Sequence, residues 1–466
     1  MLLPLVLDRS GPLQQQLVDQ LRRMIESGAI GAGERMPSTR AFAEQFAISR
    51  MTAVLVYERL TVAGLLHTVP AGGTFVGEGP AVQRPEARGD ATPLPAESRI
   101  DDPDPALFPA SRWRALMRDA IGQFGRPVEN PGATARQALQ GTLAKWLRGT
   151  RGIDVAPEQI IIVPGRQQAL NILAHMLLDH GKRVAVEAPG DDRAAEIWLD
   201  HGARLVQVPI DANGLVTSRL PRTPTALLQV MPGWHYPLGA TLAPERRQEV
   251  LAWATAMAAH VVEIDRVGDL RYDHHHRPTL MAEDRAGRVC HVGDFGGILR
   301  PWLSTGYLVV PPSLAERAEA ARATGQGEAG GIWLGVLNEF IESDAYTRHL
   351  LRIRRIYGAR REALASALQA TFPGGQVIGA AAGLTLAWRP PATFADAERL
   401  ATMARHCGIP ASVLSLPIAS ELAARVPKTL LLGFARLPEV EAGTAVAALA
   451  RFHAASAGND DRVAAD

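Results

Sequence analysis

Several stretches of this chain hold residues whose types and spacing could do chemistry. "GRQQAL", residues 165–170, stands between an apolar run ending at Val163 and an apolar-periodic segment, so it reads as the turn that opens a helix. Backbone N–H groups at such a turn, with the helix dipole behind them, attract anions, and Arg166 adds a cation. Pro164 offers no N–H, and an ordinary strand-to-helix turn fits the same residues. "DHHHR" sets His274, His275 and His276 side by side. Neighbours on an extended loop point apart, and no further His or Cys stands at metal-ligand spacing, so a solvated loop is the reading. "RIRRIYGARR" places five arginines between Arg352 and Arg361, which could brush phosphates or face solvent. The two cysteines, Cys290 and Cys407, lie far apart and provide neither a CxxC metal site nor a disulfide framework, which fits a reducing cytoplasm.

Elements must hold these residues in place. At 466 residues the chain is too long for one ordinary core. With 47% hydrophobic and 21% charged residues and a formal net charge of +1, it reads as globular rather than disordered or nucleic-acid-coating. The N-terminus lacks a signal-peptide pattern, and no apolar run reaches the roughly 18 residues that span a bilayer. "GEGPAVQRPEARGDATPLPAESR" has neither helical nor strand periodicity, which makes 77–99 a linker between a small domain at 1–76 and a large one at 100–455. In the large part, short β-rich runs at 159–163, 183–188, 203–210, 226–231, 260–265, 288–292 and 307–310 alternate with helical patterns. That alternation predicts an α/β fold on a mostly parallel seven-stranded sheet. Residues 456–466 have no core-forming pattern and read as a disordered tail.

In the small domain, Leu13, Leu17, Leu21 and Ile25 recur at helical spacing, with Pro12 before and Gly28 after. Ser38 and Ser49 read as caps of two further helices with a break at Ala47 and Ile48 between them, which is helix-turn-helix spacing. "HTVPAGGTFV" then reads as a hairpin wing. Ser49, Arg50 and Thr52 at a capped helix start, and Arg40 on the preceding helix, stand where side chains could meet phosphates and base edges. Residues 1–80 nevertheless carry seven Arg against seven Asp or Glu and no Lys, so the usual basic footprint is missing and a plain three-helix packing module fits equally well.

The run from "PLQQQLVDQLRRMIESG" through "GERMPSTRAFAEQFAISRMTAVLVYERL" to "GGTFV" resembles the winged helix-turn-helix of the GntR family along its whole length. The resemblance implies contacts to double-stranded operator DNA from Arg40, Ser49, Arg50 and Thr52, with Gly72, Gly73 and Thr74 in the wing. Two positions depart from the family: its turn glycine is Ala47 here, and the basic residue early in its wing is Val69.

From about residue 100 onward, "DDPDPALFP", "RGIDVAPEQIIIVPGRQQALNILAHMLLDHG", "VAVEAPG", "PLGATLAPERRQEVLAWA" and "RIRRIYGARREAL" resemble the fold-type I aminotransferase-like domain of MocR-type members of that family. The resemblance implies a small α+β lobe from about residue 345, and makes the arginine-rich stretch a solvated helix face bridging to it. It also implies pyridoxal 5'-phosphate, held through a lysine aldimine, a carboxylate on the ring nitrogen, and hydroxyl and cationic donors on the phosphate. The family pattern G-x-F-S-K-x-L-x-P-x-x-R-x-G-Y lies on residues 293–307, with Gly293, Phe295, Leu299, Pro301, Gly306 and Tyr307 matching. The lysine position is Gly297, and the phosphate-binding Ser and Arg become Gly296 and Ser304. The chain has only three lysines, Lys145, Lys182 and Lys428, none near this segment. E-D-D-Y-D falls on "EIDRV", which puts Ile264 at the ring carboxylate and Arg266 at a ring-facing tyrosine; Asp265 is next door but on the other strand face. The stacking tyrosine of P-G-Y is Asp191, the substrate-carboxylate arginine is Leu431, and Trp234 and His235 enter the cofactor-facing loop. Gly165, Arg166 and Gln167 keep part of the phosphate cradle.

These residues predict a cytoplasmic transcriptional regulator with no catalytic residues and no bound metal. Its aminotransferase-like half would serve homodimerisation and the sensing of an effector of unidentified chemistry, with pyridoxal phosphate lost or held weakly without a covalent bond. The alternatives are a pyridoxal-phosphate-dependent aminotransferase and a regulator that binds pyridoxal phosphate noncovalently.

Overall fold

Leu17, Leu21, Phe42, Val56 and Leu60 have no exposed surface, and their burial is what makes the first 76 residues fold. The computed structural model describes residues 13–26, 30, 33–46, 48–69, 73–77, 100–123, 130–266, 268–273, 279–325, 330–379, 381–392, 394, 396–414 and 428–463. It divides into two units, Met1–Glu97 and Ser98–Asp466. Most of the expected linker, together with Pro12, Gly28, Ala47, Gly72 and the three adjacent histidines, lies outside the described residues.

In the first unit, α1 (Leu13–Glu26) and α2 (Thr39–Phe46) pack on α3 (Arg50–Val62), followed by β1 (Leu66–Val69) and β2 (Gly73–Val76). Ser38 Oγ accepts from Ala41 N at 3.2 Å and Ser49 Oγ from Thr52 N at 3.0 Å, so the serines expected as caps satisfy N–H groups that open α2 and α3. β1 and β2 pair antiparallel, with Leu66 opposite Val76 and Val69 opposite Gly73. Tyr57 Oη donates to the Pro37 carbonyl at 2.8 Å and ties α3 to the segment leading into α2.

The second unit begins with α4 (Ala110–Ile121) and α5 (Pro131–Arg151), the latter capped by Asn130 and stopped by Gly152 at φ 69°. Then come β3 (Ile160–Val163), α6 (Arg166–Leu177), β4 (Arg183–Ala188), α7 (Asp192–Asp200), β5 (Arg204–Asp211), β6 (Gly214–Leu215), β7 (Leu227–Val230), α8 (Pro244–Ala256) and β8 (His260–Asp265). They continue as α9 (Leu280–Glu283), β9 (Val289–Asp294), α10 (Gly296–Leu299), β10 (Gly306–Val309), α11 (Pro312–Gly325) and α12 (Gly331–Glu342). The sheet runs β3-β10-β9-β8-β7-β4-β5-β6. From β9 to β5 neighbours are parallel, and β10 runs against both β9 and β3. Among the described residues the sheet thus has eight strands, not the expected seven. The extra one is the two-residue β6, which turns back on β5 with Ile210 opposite Leu215 and is too short to show periodicity.

Both faces of the sheet are covered, so its strands read as unbroken apolar runs. Ile160 and Ile162 point to the side of α4, α5, α12 and α13 (Ala345–Thr371), and Ile161 and Val163 to the side of α6, α7 and α11. The small lobe adds β11 (Gln376–Ile378), β12 (Thr385–Arg389), α14 (Ala397–His406), β13 (Ala411–Val413), β14 (Leu430–Gly433) and α15 (Glu439–Val463). Its four strands pair antiparallel in the order β11-β12-β14-β13. α15 corrects the expected disordered tail: the helix continues to Val463, past Leu449, the last residue described as buried, because each added residue closes one more backbone hydrogen bond on a helix already nucleated. Among the described residues no helix is long and apolar enough to cross a membrane.

Candidate functional site

The exposed start of α3 is the candidate nucleic-acid interface. Arg50 is exposed at its first position, and Ser49 and Thr52 bind each other, Oγ to Oγ1, at 2.8 Å. Arg40, its side chain 81% exposed on α2, pairs with Glu44 at 3.1 Å, a solvated pair that costs little to exchange for another anion. In the wing, Thr74 Oγ1 lies 3.4 Å from Thr68 Oγ1. Gly73 has φ +112°, and a Cβ added there would meet Arg35 Nε at 3.1 Å. An exposed arginine therefore lies against the wing hairpin, a residue the motif reading missed. The signal was the isolated "GERMPS" arginine just before the helix-turn-helix.

In the second unit, Gly165, Arg166, Gln167, Arg266, Gly297 and Ser304 line one cavity of about 260 Å3 at the carboxyl edge of the sheet. Gly165 closes β3 and caps α6 at φ +96°, and a Cβ there would fall 2.9 Å from the Ser304 carbonyl, so the turn is tied to the segment before β10. Gly297 sits in α10, its N–H donating to Asp294 Oδ1 at 3.2 Å.

Charges dominate this cavity. Asp191, with a side chain only 3% exposed, holds Arg166 Nη2 at 2.9 Å and Arg266 Nη1 at 3.1 Å through one oxygen. Arg266 also pairs with Asp101 and stacks on the Tyr236 ring, its guanidinium carbon 3.8 Å from the centroid. Arg300 reaches Asp102 at 3.4 Å. Burial works to raise the Asp191 carboxyl, but Arg166 and Arg266 overcome it and hold it below the ordinary carboxylate value. Asp101 is likewise held down: burial raises it, and Arg266 and Arg300 more than compensate. Asp101, Tyr236 and Arg300 were missed by the motif reading; the acidic "DDPDP" and the arginine of "ILRP" carried the only signal.

The remaining residues are not brought into this cavity. Ile264 is buried in the apolar layer under α6 and α7, whereas Asp265 turns to the opposite face, accepting from Arg151 Nε at 2.6 Å and Gly268 N at 2.8 Å. Trp234 donates from Nε1 to the Gly379 carbonyl at 3.2 Å, packing toward the small lobe. His235 is buried with Nε2 3.8 Å from Glu187 Oε2; burial lowers the histidine to about 4 and raises the glutamate to about 8, the latter opposed by the Met231 N–H at 2.9 Å. Leu431 is buried within β14.

Residues 13–76 match the family described as bacterial regulatory proteins, gntR family. Over 383 residues the chain is 32% identical to the probable rhizopine catabolism regulatory protein MocR of Rhizobium meliloti, covering 77% of this chain and 78% of that one. The chain belongs to the MocR-type regulators of the GntR family. Another relative, the HTH-type pyridoxine biosynthesis transcriptional regulator PdxR of Corynebacterium glutamicum, is 31% identical, over 77% of this chain and 80% of its own. Among solved structures, an archaeal alanine:glyoxylate aminotransferase superposes with a TM-score of 0.67 at 22% identity, covering 76% of this chain and 89% of that one. At that identity the likeness concerns the fold, and it makes the second unit of this MocR-type chain aminotransferase-like.

Proposed function

We propose that this chain is a DNA-binding transcriptional regulator whose aminotransferase-like unit carries out no aldimine chemistry. The mutual ion pair of Asp191 and Arg266 carries the reading. The family resemblance assigns both positions to contacts with the pyridoxal ring; here they bind each other, with Arg166, Asp101 and Tyr236 completing the cluster. The residues do not fit the cofactor. Gly297 has no amine, none of the three lysines lines the cavity, Ile264 carries no carboxylate, and its neighbour Asp265 is engaged by Arg151 and the Gly268 N–H. Such a body would hold two winged helices together as a homodimer on paired half-sites, recovering affinity that a nearly neutral reading domain lacks. Arg40, Ser49, Arg50, Thr52, Gly73 and Thr74, with Arg35 beside the wing, would face the operator.

Three measurements test this. Purified protein mixed with pyridoxal phosphate should give no aldimine absorbance and no borohydride-trapped adduct, and Gly297→Lys should give no transamination; turnover in that variant would refute the assignment of Gly297. Arg50→Ala should weaken operator binding with the melting curve unchanged, by about 1–3 kcal/mol if the arginine reads a base edge; unchanged affinity removes Arg50 from the interface.

A second reading, noncovalent binding of pyridoxal phosphate or another anion, is favoured by one observation: in the cavity wall Arg166 Nε is buried and, among the described residues, has no hydrogen-bond partner. A melting temperature that rises with pyridoxal phosphate, without an aldimine band, would support it.

A further inference from the structure

A second cavity, of about 420 Å3, has no lining residue in common with the one just described, but Trp146, Arg151, Asp265, Gly268 and Asp269 of its wall also line a small void at Gly297 that adjoins both. Gly233 and Asp265, which follow or end β7 and β8, form its floor; Leu350, Leu351 and Arg354 of α13 cover it, and Trp146 of α5 closes one side. The volume suits a small ligand, and the carboxyl ends of parallel strands are where open α/β sheets hold one.

The polar groups of the wall are unequal. Asp265 is satisfied by Arg151 and the Gly268 N–H. Asp269 takes Arg151 Nη2 at 2.6 Å and Tyr346 Oη at 2.8 Å. Arg271 is held by Asp273 and by the Gly233 carbonyl at 2.6 Å. Arg354 differs: its Nε donates to the Asp269 carbonyl at 2.6 Å, which fixes the guanidinium plane, and among the described residues nothing accepts from its two terminal amino groups. Around it stand Trp146, Leu350 and Leu351, the last 62% exposed at the mouth. Asp265 and Asp269 are both engaged by Arg151, Arg271 by Asp273, and Glu263 by the N–H groups of Leu280 and Met281, so among the described residues Arg354 is the wall cation with donors left to offer an anion, and the apolar walls suit a hydrocarbon body.

We propose that this cavity binds a small apolar carboxylate, bidentate on the terminal amino groups of Arg354, with its hydrocarbon against Trp146, Leu350 and Leu351. The inference goes beyond the regulator reading, since neither DNA nor pyridoxal phosphate enters its test. Calorimetric titration of the full chain with phenylacetate and with 4-methylpentanoate should give saturable one-to-one binding, with benzyl alcohol and phenethylamine about tenfold weaker or more, the discrimination expected of a charge-assisted pair. Arg354→Met should weaken phenylacetate by at least about tenfold. Leu351→Glu, at an exposed position that tolerates a charge, should do the same by repulsion and serves if the arginine variant fails to fold. Trp146→Phe should remove the ligand-dependent fluorescence change while the binding heat persists. No saturable heat with either carboxylate, equal affinity for the alcohol, or undiminished affinity in Leu351→Glu would overturn the proposal.

Discussion

Replacing Asp191 by Asn removes the anion that two buried guanidinium groups share, those of Arg166 and Arg266, whose side chains are 14% and 12% exposed. Breaking a buried pair from one side costs about 3–5 kcal/mol, because the surviving charge is left uncompensated. Arg266 keeps Asp101, which places the expected loss near the lower end, about 3 kcal/mol. Unfolding entropy of about 2.1 cal/mol/K per residue over the roughly 370 residues of the second unit gives about 0.8 kcal/mol/K, so the melting temperature of that unit should fall by about 4 °C. Arg266→Gln should be destabilising as well, and the double variant should lose about 1–3 kcal/mol less than the two singles together. Because the folded-state pKa of Asp191 lies below its unfolded value, the stability it contributes is present above the unfolded value of about 3.9 and is lost as pH falls through the folded one. The gap between native protein and Asp191→Asn should therefore persist through neutral pH and close only below about pH 4. Scanning calorimetry of the four proteins settles the matter: additive single losses, or a more stable Asp191→Asn, would mean that the pair is incidental.

The buried glutamate gives the opposite sign. Glu187 is raised to about 8 by burial, so its protonated form stabilises the fold below the unfolded value of about 4.3, and that stability is lost as pH rises through 8. Glu187→Gln cannot ionise, and its melting temperature relative to the native protein should climb steadily between about pH 5 and pH 8; a constant difference would refute the assignment. Arg35→Ala should weaken operator binding uniformly across sequences and reduce the salt slope of log K by about 1, since a residue beside the wing is placed for phosphate rather than base contact. A change confined to one base position would contradict that placement.

Much of the architecture is legible in the sequence, because the signals are local. The apolar run of β3, the serines at the openings of α2 and α3, and the spacing of Leu17 and Leu21 each depend on residues a few positions apart. β6 and the extension of α15 were not legible: two residues have no period, and helix propagation needs no core contact to declare itself. The candidate site was legible only as a series of separate departures from a family pattern. Asp191 and Arg266 stand 75 positions apart, so nothing short-range says that the two departures are one interaction. Trp234 and His235 were expected in the cofactor-facing loop, yet the chain turns one toward the small lobe and buries the other against Glu187, leaving Tyr236 to face Arg266. Hydrophobicity cannot forecast which of three adjacent aromatic rings meets a cation.

The sharing of Asp191 by Arg166 and Arg266 also bears on the history open to this protein. In a lineage drifting back toward its relatives, replacing Asp191 first would take this partner from Arg166 while Arg266 kept Asp101, whereas replacing Arg266 first would leave Asp191 with Arg166. A path that exchanges Arg266 before Asp191 keeps both carboxylates beside an arginine, so the cluster favours one order of steps without closing the way back.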